Sequence, residues 1–250
     1  MRRAILLLTA CATAVVAALT APASAGRANA ETGPVLSYTF EQLSAGTVPD
    51  VSGHGLDGRL IATVGSRTLL PSLTGHGKAL HLVGTRHEYV DVPLLPVLDV
   101  DRYTLAAWVR YTGVQNDATN ERWEVLEKAG AYWLNVRTTG QVRVGGFYGG
   151  CSGPGVWQYL DTPNRLPVNT WRHVAATYDG SRLSVYVGGV LAASRPVTGR
   201  TCVSGEPLAV GAKNNPTKGL LEAFWDGRLD DVRIYDHALT AAEVRTLAAR

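Results

Sequence analysis

The sequence predicts an all-β fold, a two-sheet antiparallel sandwich closed by one short C-terminal helix. After residue 30, short runs of alternating apolar and polar residues fill the chain. Gly, Pro, Asn and Asp separate these runs about every ten residues, a spacing typical of sandwiches rather than of alternating strands and helices. A chain of 250 residues is also long enough for one such domain with a full core. The predicted strands are, in order, Val35–Phe40, Ala79–Leu82, Glu88–Val92, Tyr103–Tyr111, Val125–Glu127, Tyr132–Arg137, Gln141–Gly146, Trp171–Tyr178, Arg182–Val187, Val190–Ser194, Pro207–Val210 and Arg228–Tyr235.

Two glycines mark the tightest predicted turn. Gly188 and Gly189 separate a strand ending at Val187 from a strand starting at Val190. Both glycines tolerate the positive φ that a two-residue hairpin requires. The pattern therefore predicts a hairpin at this point of the chain.

The one predicted helix lies at the end of the chain. Thr240 is a good N-cap residue, and Glu243, three residues later, completes a capping box. Leu239 and Val244 are placed to form the hydrophobic staple across the helix start. Arg245 falls in a later turn, where the helix dipole favours a positive charge.

Four blocks in the last part of the chain carry a family pattern: Thr170–Gly180, Leu183–Val190, Asp226–Tyr235 and Ala238–Leu247. In that order and spacing they resemble the laminin G-like family, the concanavalin A-like jelly-roll sandwiches of extracellular proteins. The resemblance runs from Val35 to Leu247. It implies a two-sheet jelly roll that acts as a secreted binding module, and it names no ligand.

The N-terminal segment, residues 1–30, is predicted to be a signal peptide. Its basic start, Met1–Arg3, precedes an apolar run from residue 4 to residue 19. Motifs of the small-x-small form end at Ala25 and at Ala30, so cleavage is expected after one of them. Two alternatives remain, an uncleaved membrane anchor and lipid attachment at Cys11.

Removal of the leader changes the charge of the chain. The full sequence has 24 basic and 21 acidic residues, a net charge of +3. Cleavage after Ala25 removes Arg2 and Arg3 and leaves 22 basic and 21 acidic residues, a net charge of +1. Cleavage after Ala30 also removes Arg27, so residues 31–250 have 21 basic and 21 acidic residues and a net charge of zero. No run of Lys or Arg remains to follow a phosphate backbone, which argues against nucleic acid as a partner. The mature domain is also predicted to have no membrane span.

Two cysteines, Cys151 and Cys202, follow the leader. An even number of cysteines in an exported chain predicts one disulfide. A bridge closing so long a loop would stabilise the fold by about 3 to 5 kcal/mol.

A calcium site is implied by the family resemblance at the start of the domain. Glu41 and Asp50 lie where the family has its opening strand and Gly-rich loop, and Asp230 is the matching late carboxylate. Carboxylate and carbonyl oxygens are the ligands that Ca²⁺ prefers. His54 and Leu56 stand where the family usually has Asn. The alternative is that Asp50 caps a turn and Asp230 accepts backbone hydrogen bonds.

Five residues are predicted to bind a glycan from loops: Tyr148, Trp157, Tyr159, Asn214 and Trp225. All of them lie among Gly, Pro and Asn, and flat aromatic rings beside amide groups suit sugar recognition. Packing is the alternative explanation for the aromatic residues. Three further tryptophans that stand in alternating strands are predicted to lie in the core: Trp108, Trp133 and Trp171.

Paired catalytic carboxylates are the feature that would indicate an enzyme. The nearest candidate is Glu121–Glu127, in which strict alternation places Glu124 on the face opposite Glu127. No Gly-x-Ser-x-Gly motif is present. The sequence therefore predicts a secreted, non-catalytic, calcium-supported module that binds an extracellular glycan or a cell-surface protein. The alternatives are a glycoside hydrolase or polysaccharide lyase of the same sandwich type, and a protein-binding adhesion module.

Overall fold

The computed structural model describes residues 33–63, 68–73, 75–114, 122–151, 155–215 and 219–249. These residues form two antiparallel sheets and, in the described part of the chain, one α-helix, so the predicted fold class is confirmed. The predicted signal peptide and Glu121 lie outside the described residues. The strands are β1 Leu36–Tyr38, β2 Thr47–Val48, β3 Gly58–Ile61, β4 Leu69–Pro71, β5 Lys78–Leu82, β6 Tyr89–Val92, β7 Tyr103–Tyr111, β8 Arg122–Lys128, β9 Tyr132–Arg137, β10 Gln141–Tyr148, β11 Val156–Arg165, β12 Arg172–Tyr178, β13 Arg182–Val187, β14 Val190–Pro196, β15 Leu208–Val210, β16 Lys213–Asn215, β17 Leu220–Glu222 and β18 Gly227–Tyr235, and the helix is α1 Ala241–Ala248.

The first sheet has the strand order β14-β13-β12-β7-β18-β5-β4, and β1 also pairs with β18. Its β13–β14 hairpin turns at Gly188 and Gly189, whose φ values of 58° and 75° confirm the predicted turn. Neighbouring strands are antiparallel throughout, and the long pairing of β7 with β12 and β18 makes the centre of the sheet.

The second sheet has the strand order β11-β10-β9-β8-β15-β6-β3-β2. A two-stranded hairpin, β16–β17, continues from β15 beside this sheet and places Lys213 opposite Glu222. All twelve predicted strands overlap observed ones, whereas β2, β3, β4, β11, β16 and β17 were not predicted. The most consequential of these is β11, which carries Trp157 and Tyr159.

The core lies between the two sheets and is rich in tyrosine. Tyr103, Tyr132, Tyr148 and Tyr178 are all buried there, and their rings contact one another. The hydroxyls of Tyr103 and Tyr148 share a hydrogen bond of 2.6 Å, which satisfies two polar groups that burial would otherwise strand. Trp225 is also fully buried in this core.

The predicted disulfide between Cys151 and Cys202 is present and closes a loop with a sequence separation of 51. A closed loop of this length stabilises the folded state by about 4 kcal/mol in the chain-entropy account. The bridge joins the segment that follows β10 to the segment that precedes β15.

Helix α1 has the predicted capping box. The Thr240 hydroxyl accepts a hydrogen bond from the Glu243 backbone N–H, and the Glu243 carboxylate accepts one from the Thr240 backbone N–H. Val244 and Leu247 are buried against Tyr186 and other apolar residues on the outer face of the first sheet. The helix therefore covers part of that face.

Candidate functional site

A cleft of about 410 Å³ opens on the outer face of the second sheet. Strands β8, β9, β10 and β11 supply most of its lining, and the β8–β9 turn and strand β16 supply the rest. Polar residues make its floor and aromatic residues make one wall. The lining residues used below are Arg122, Glu124, Glu127, Trp133, Arg143, Trp157, Tyr159, Lys213, Asn214 and Asn215.

A bulge in β8 brings two carboxyl groups into the cleft. Glu124 pairs with Asn135 of β9 and Glu127 pairs with Trp133, although the glutamates are three positions apart in the sequence and their partners only two. The irregularity lies between Glu124 and Leu126, and one extra residue at that point resets the alternation of faces. The prediction that Glu124 and Glu127 lie on opposite faces is therefore wrong.

Glu124 is fully buried and has polar partners. Its Oε2 lies 3.3 Å from Arg122 Nε, and both carboxylate oxygens accept hydrogen bonds of 3.4 Å from Asn135 Nδ2. Burial raises the pKa of Glu124 to about 7, although Arg122 and Asn135 act in the opposite direction. Arg122 and Asn135 thus partly stabilise the ionised form of Glu124.

Glu127 has a different environment. It is 6% exposed, and its Oε2 has no hydrogen-bond partner among the described residues. Burial raises the pKa of Glu127 well above its usual range, and the charge of Glu124 adds to the effect. The Oδ1 of Asn135 is likewise buried without a partner in the described part of the chain. Two buried acceptor atoms, one of them on the cleft-lining Glu127, therefore have no partner among the described residues.

The hairpin end of the cleft is held by an ion pair and a hydrogen bond to Glu222. Lys213 Nζ lies 2.6 Å from Glu222 Oε1, and Asn215 Nδ2 donates to the same oxygen at 2.8 Å. These contacts span β16 and β17 and hold the hairpin together. Asn214 lines the cleft next to them.

The aromatic wall is built from β9 and β11. Trp133 and Trp157 have ring centroids 5.4 Å apart, and Arg143 lies 4.0 Å from the centre of the Tyr159 ring. Gly145 makes room for this wall, because a Cβ at that position would lie 2.3 Å from Trp133. Trp157 is 56% exposed and Tyr159 is 49% exposed. Two large rings thus face solvent, where large aromatic side chains are uncommon.

The five predicted ligand residues divide into two groups. Trp157, Tyr159 and Asn214 come together in the cleft, although on strands rather than loops. Tyr148 and Trp225 are buried in the core and have no surface to offer a ligand, so their assignment is wrong. Because the sequence around both residues is rich in turn-forming residues, it did not reveal that Tyr148 lies on the inward side of β10. For the same reason it did not reveal that Trp225 lies in a core-facing segment before β18.

Sequence reasoning also missed residues that the cleft contains. Trp133 lines the cleft instead of packing in the core as predicted, and Glu127 lies at its floor. Alternation along β9 and β10 places Trp133 and Arg143 on one side, away from core residues such as Val144. That alternation could have revealed a polar and aromatic outer face had β11 also been recognised.

The three predicted metal ligands do not form one cluster. Glu41 and Asp230 line a separate depression of about 510 Å³ together with His76 and Asp231. Asp50 does not line it. Among the described residues, no group of three or more His, Cys, Asp or Glu side chains is arranged to hold a metal ion.

Asp50 instead organises the loop that follows it. Its carboxylate accepts hydrogen bonds from the backbone N–H groups of Ser37, Ser52 and Leu56 and from the Ser52 hydroxyl. These bonds match the turn-capping alternative. Asp230 accepts a short hydrogen bond from the Ser72 hydroxyl. Burial raises the pKa of Asp230 to about 7, and the charges of Asp231 and Glu41 act in the same direction. A cation would relieve this accumulation of negative charge, and Glu41 and Asp230 are the two carboxylates of the predicted set that share the depression.

Residues 84–245 match the family model described as the concanavalin A-like lectin/glucanases superfamily, and the chain belongs to that superfamily. No curated protein sequence matches the chain. Within the described residues, the helical structure includes no segment with the length and apolar character needed to cross a bilayer.

Three solved structures share the fold at low sequence identity. The binding domain of Paraclostridial Mosquitocidal Protein 1 has a TM-score of 0.63 and 17% identity over 86% of this chain, and this chain spans about half of it (52%). Domain 4 of AbnA, a GH43 extracellular arabinanase from Geobacillus stearothermophilus, in complex with arabinotriose, has a TM-score of 0.57 and 19% identity over 86% of this chain and 98% of its own. The binding domain of Botulinum neurotoxin DC in complex with rat synaptotagmin II has a TM-score of 0.59 and 14% identity over 87% of this chain and 51% of its own. At these identities the likeness shows the fold alone.

Proposed function

We propose that the protein is a secreted glycan-binding module whose ligand lies in the cleft on the second sheet. The observation that carries the proposal is the exposed wall of Trp157 and Tyr159 beside a polar floor. A sugar ring has apolar C–H faces and a rim of hydroxyl groups. Aromatic rings suit its faces, and carboxylate, amide and ammonium groups suit its rim.

The polar floor has the chemistry that such a ligand needs. Asn214 and Asn215 line the cleft with amide groups that both donate and accept hydrogen bonds. Glu127 adds an acceptor with an unused oxygen. A polyhydroxylated ligand would satisfy these groups, whereas an apolar ligand would bury them without partners at a cost of about 1 to 3 kcal/mol each.

Two further observations support the proposal. The arabinanase domain of the same fold was solved with arabinotriose, which shows that the fold accommodates an oligosaccharide in that protein. The Cys151–Cys202 disulfide suits an oxidising, extracellular compartment. A cell-surface protein is the alternative partner, and its binding without any glycan would contradict the proposal.

The proposal is tested with Trp157→Ala and with Leu94→Ala as the matched control. The exposed fraction of Leu94, 52%, is similar to that of Trp157, and Leu94 does not line the cleft. Polysaccharides and oligosaccharides are screened by retention and by tryptophan fluorescence. We expect Trp157→Ala to weaken binding at least tenfold, about 1.4 kcal/mol, while Leu94→Ala binds as the wild type does. Equal affinity of both variants, or no glycan bound by the wild type, would reject the cleft as a glycan site.

The paired carboxyl groups favour a second candidate, hydrolysis of a glycosidic bond in the same cleft. Glu124 and Glu127 lie two ladder positions apart on one face, roughly 7 Å along the strand. Glycosidases use two carboxyl groups, one ionised and one protonated, to cleave the bond and add water. The samples of the binding experiment distinguish binding alone from hydrolysis when the length of the glycan is measured after prolonged incubation. An intact glycan favours binding alone, and shortened products favour hydrolysis.

Calcium support is the remaining part of the proposal. It rests on Glu41 and Asp230, which share one depression on the first sheet, away from the cleft. A cation there would stabilise the fold rather than contact the ligand.

A further inference from the structure

The charged groups of the cleft are matched in pairs, with one exception. Arg122 lies 3.3 Å from Glu124, and Lys213 lies 2.6 Å from Glu222. Arg143 makes an ion pair of 2.6 Å with Asp161. Glu127 is the carboxyl group of the cleft that has no cation within ion-pair distance among the described residues.

The same carboxyl group also lacks a hydrogen-bond donor. The Oε2 of Glu127 is buried and unpartnered within the described part of the chain, and so is the Oδ1 of the neighbouring Asn135. Buried polar atoms in folded proteins nearly always have partners, so each exception needs a cause. Both atoms are acceptors, because an amide oxygen and a carboxylate oxygen carry lone pairs. The donors that these atoms need are therefore not supplied by the described residues.

We propose that Glu127 is the recognition group for a protonated amine, and that the cleft selects glycans built from amino sugars with a free amino group. This inference rests on the proposed function and specifies its ligand class. An ammonium group supplies the positive charge and the donors that Glu127 lacks. The exposed ring of Trp157, which lines the same cleft, would favour the same charge by a cation–π contact.

Acidic and uncharged sugars fit the cleft less well. The cations that would attract a uronate, Arg122, Lys213 and Arg143, already have carboxylate partners. A neutral hydroxyl donates a hydrogen bond but brings no positive charge to stabilise the ionised form of the buried Glu127. An amino group alone satisfies both requirements.

Proton release follows from the electrostatics of the cleft. Glu127 faces Glu124 and Arg122 of its own strand, Lys213 and Glu222 of the hairpin, and the uncharged Trp133 and Asn135 of β9. Arg143 of β10 lines the same cleft. Burial and the charge of Glu124 raise the pKa of Glu127 in the free protein. Because an ammonium ion that pairs with the carboxylate lowers this pKa, we expect binding to release protons.

The test compares two tetrasaccharides with one backbone, the fully deacetylated glucosamine tetramer and the N-acetylglucosamine tetramer. Isothermal titration calorimetry at pH 6 in two buffers of different ionisation enthalpy gives affinity and proton release together. We expect the deacetylated tetramer to bind at least tenfold more tightly and to release protons, and the acetylated tetramer to release none. Because the proton measurement uses the wild-type protein, it does not depend on any variant folding.

Two variants assign the effect to Glu127. Glu127→Gln keeps the size of the side chain and removes its charge, so we expect the preference between the tetramers to vanish. Asp236→Asn removes one charge from an exposed position just after β18 in the first sheet, outside the cleft, and we expect it to keep the preference.

The outcomes separate this inference from the proposed function. The amine inference would be overturned by equal affinity for the two tetramers, or by a neutral glucan that binds more tightly than the deacetylated tetramer. It would also be overturned by tetralysine that binds more tightly than the deacetylated tetramer, or by a preference that survives in Glu127→Gln. In the first two cases glycan binding would still stand. Failure to bind any glycan would overturn the proposed function itself and the inference with it.

Discussion

His173 is buried on the outer face of the first sheet, where it is 2% exposed and packs edge-on against Trp108 at 5.6 Å. Burial lowers the pKa of His173 to about 4, and the charge of Arg233 acts in the same direction. The imidazole is therefore neutral in the folded protein at neutral pH. Its Nδ1 has no partner among the described residues, so the ring is held by packing.

This histidine makes the fold sensitive to acid. The folded pKa lies below the unfolded value of 6.5, so the unfolded chain binds more protons as the pH falls from about 6.5 to about 4. The free energy of unfolding should fall across that window by an amount on the order of 3 kcal/mol. We expect His173→Phe to lose correspondingly less stability between pH 7 and pH 4.5, as measured by urea unfolding. Parallel losses in both proteins would show that another group carries the acid sensitivity.

Individual side chains show how far sequence reasoning reaches. The disulfide and the helix cap depend on local spacing or on parity, and both were predicted. The burial of Tyr148 and the cleft position of Trp133 were not, because they depend on which face of a strand meets the other sheet. Tyr148 turned inward and Trp133 turned outward for that reason. Glu124 changed face because of one extra residue that composition does not reveal.

At the scale of elements, strand β11 explains most of the missing site. It is an edge strand with mainly exposed residues, and it contains Pro163. Proline removes a ladder donor and argues against a central strand, but an edge strand tolerates it. Without β11, Trp157 and Tyr159 looked like loop residues. With it, they join β9 and β10 in one continuous aromatic and polar face.

Helix α1 offers a prediction about a single element. Thr240→Ala removes the acceptor for the Glu243 backbone N–H, and N-cap losses of this kind cost about 1 kcal/mol. Thr246→Ala is the matched control, because the Thr246 hydroxyl bonds only to the Ala242 carbonyl inside the helix. We expect a lower melting temperature for Thr240→Ala and little change for Thr246→Ala. A helix that contributed nothing to folding would leave both variants unchanged.

At the scale of the whole molecule, the cleft and the carboxylate depression lie on different sheets. The cleft belongs to β8–β11 and the hairpin, whereas Glu41 and Asp230 line a depression beside β18 of the first sheet. The sequence predicted the sandwich from short-range patterns, and predicted the calcium carboxylates from family resemblance alone. Asp50 does not lie with Glu41 and Asp230, because its carboxylate accepts four hydrogen bonds that hold it in its own loop.

We therefore expect Ca²⁺ to stabilise the fold without changing the contacts between the cleft and its ligand. A cation that binds only the folded protein raises the free energy of unfolding by about 2.7 kcal/mol at a hundredfold excess over Kd. We expect the melting temperature to rise with Ca²⁺ and to fall with EDTA, and we expect Glu41→Gln and Asp230→Asn to abolish the response. Asp50→Asn should behave differently, lowering the melting temperature through its loop while still responding to Ca²⁺. A wild-type melting temperature that does not change with Ca²⁺ would contradict the calcium site. Loss of the Ca²⁺ response in Asp50→Asn would show that Asp50 contributes to the site.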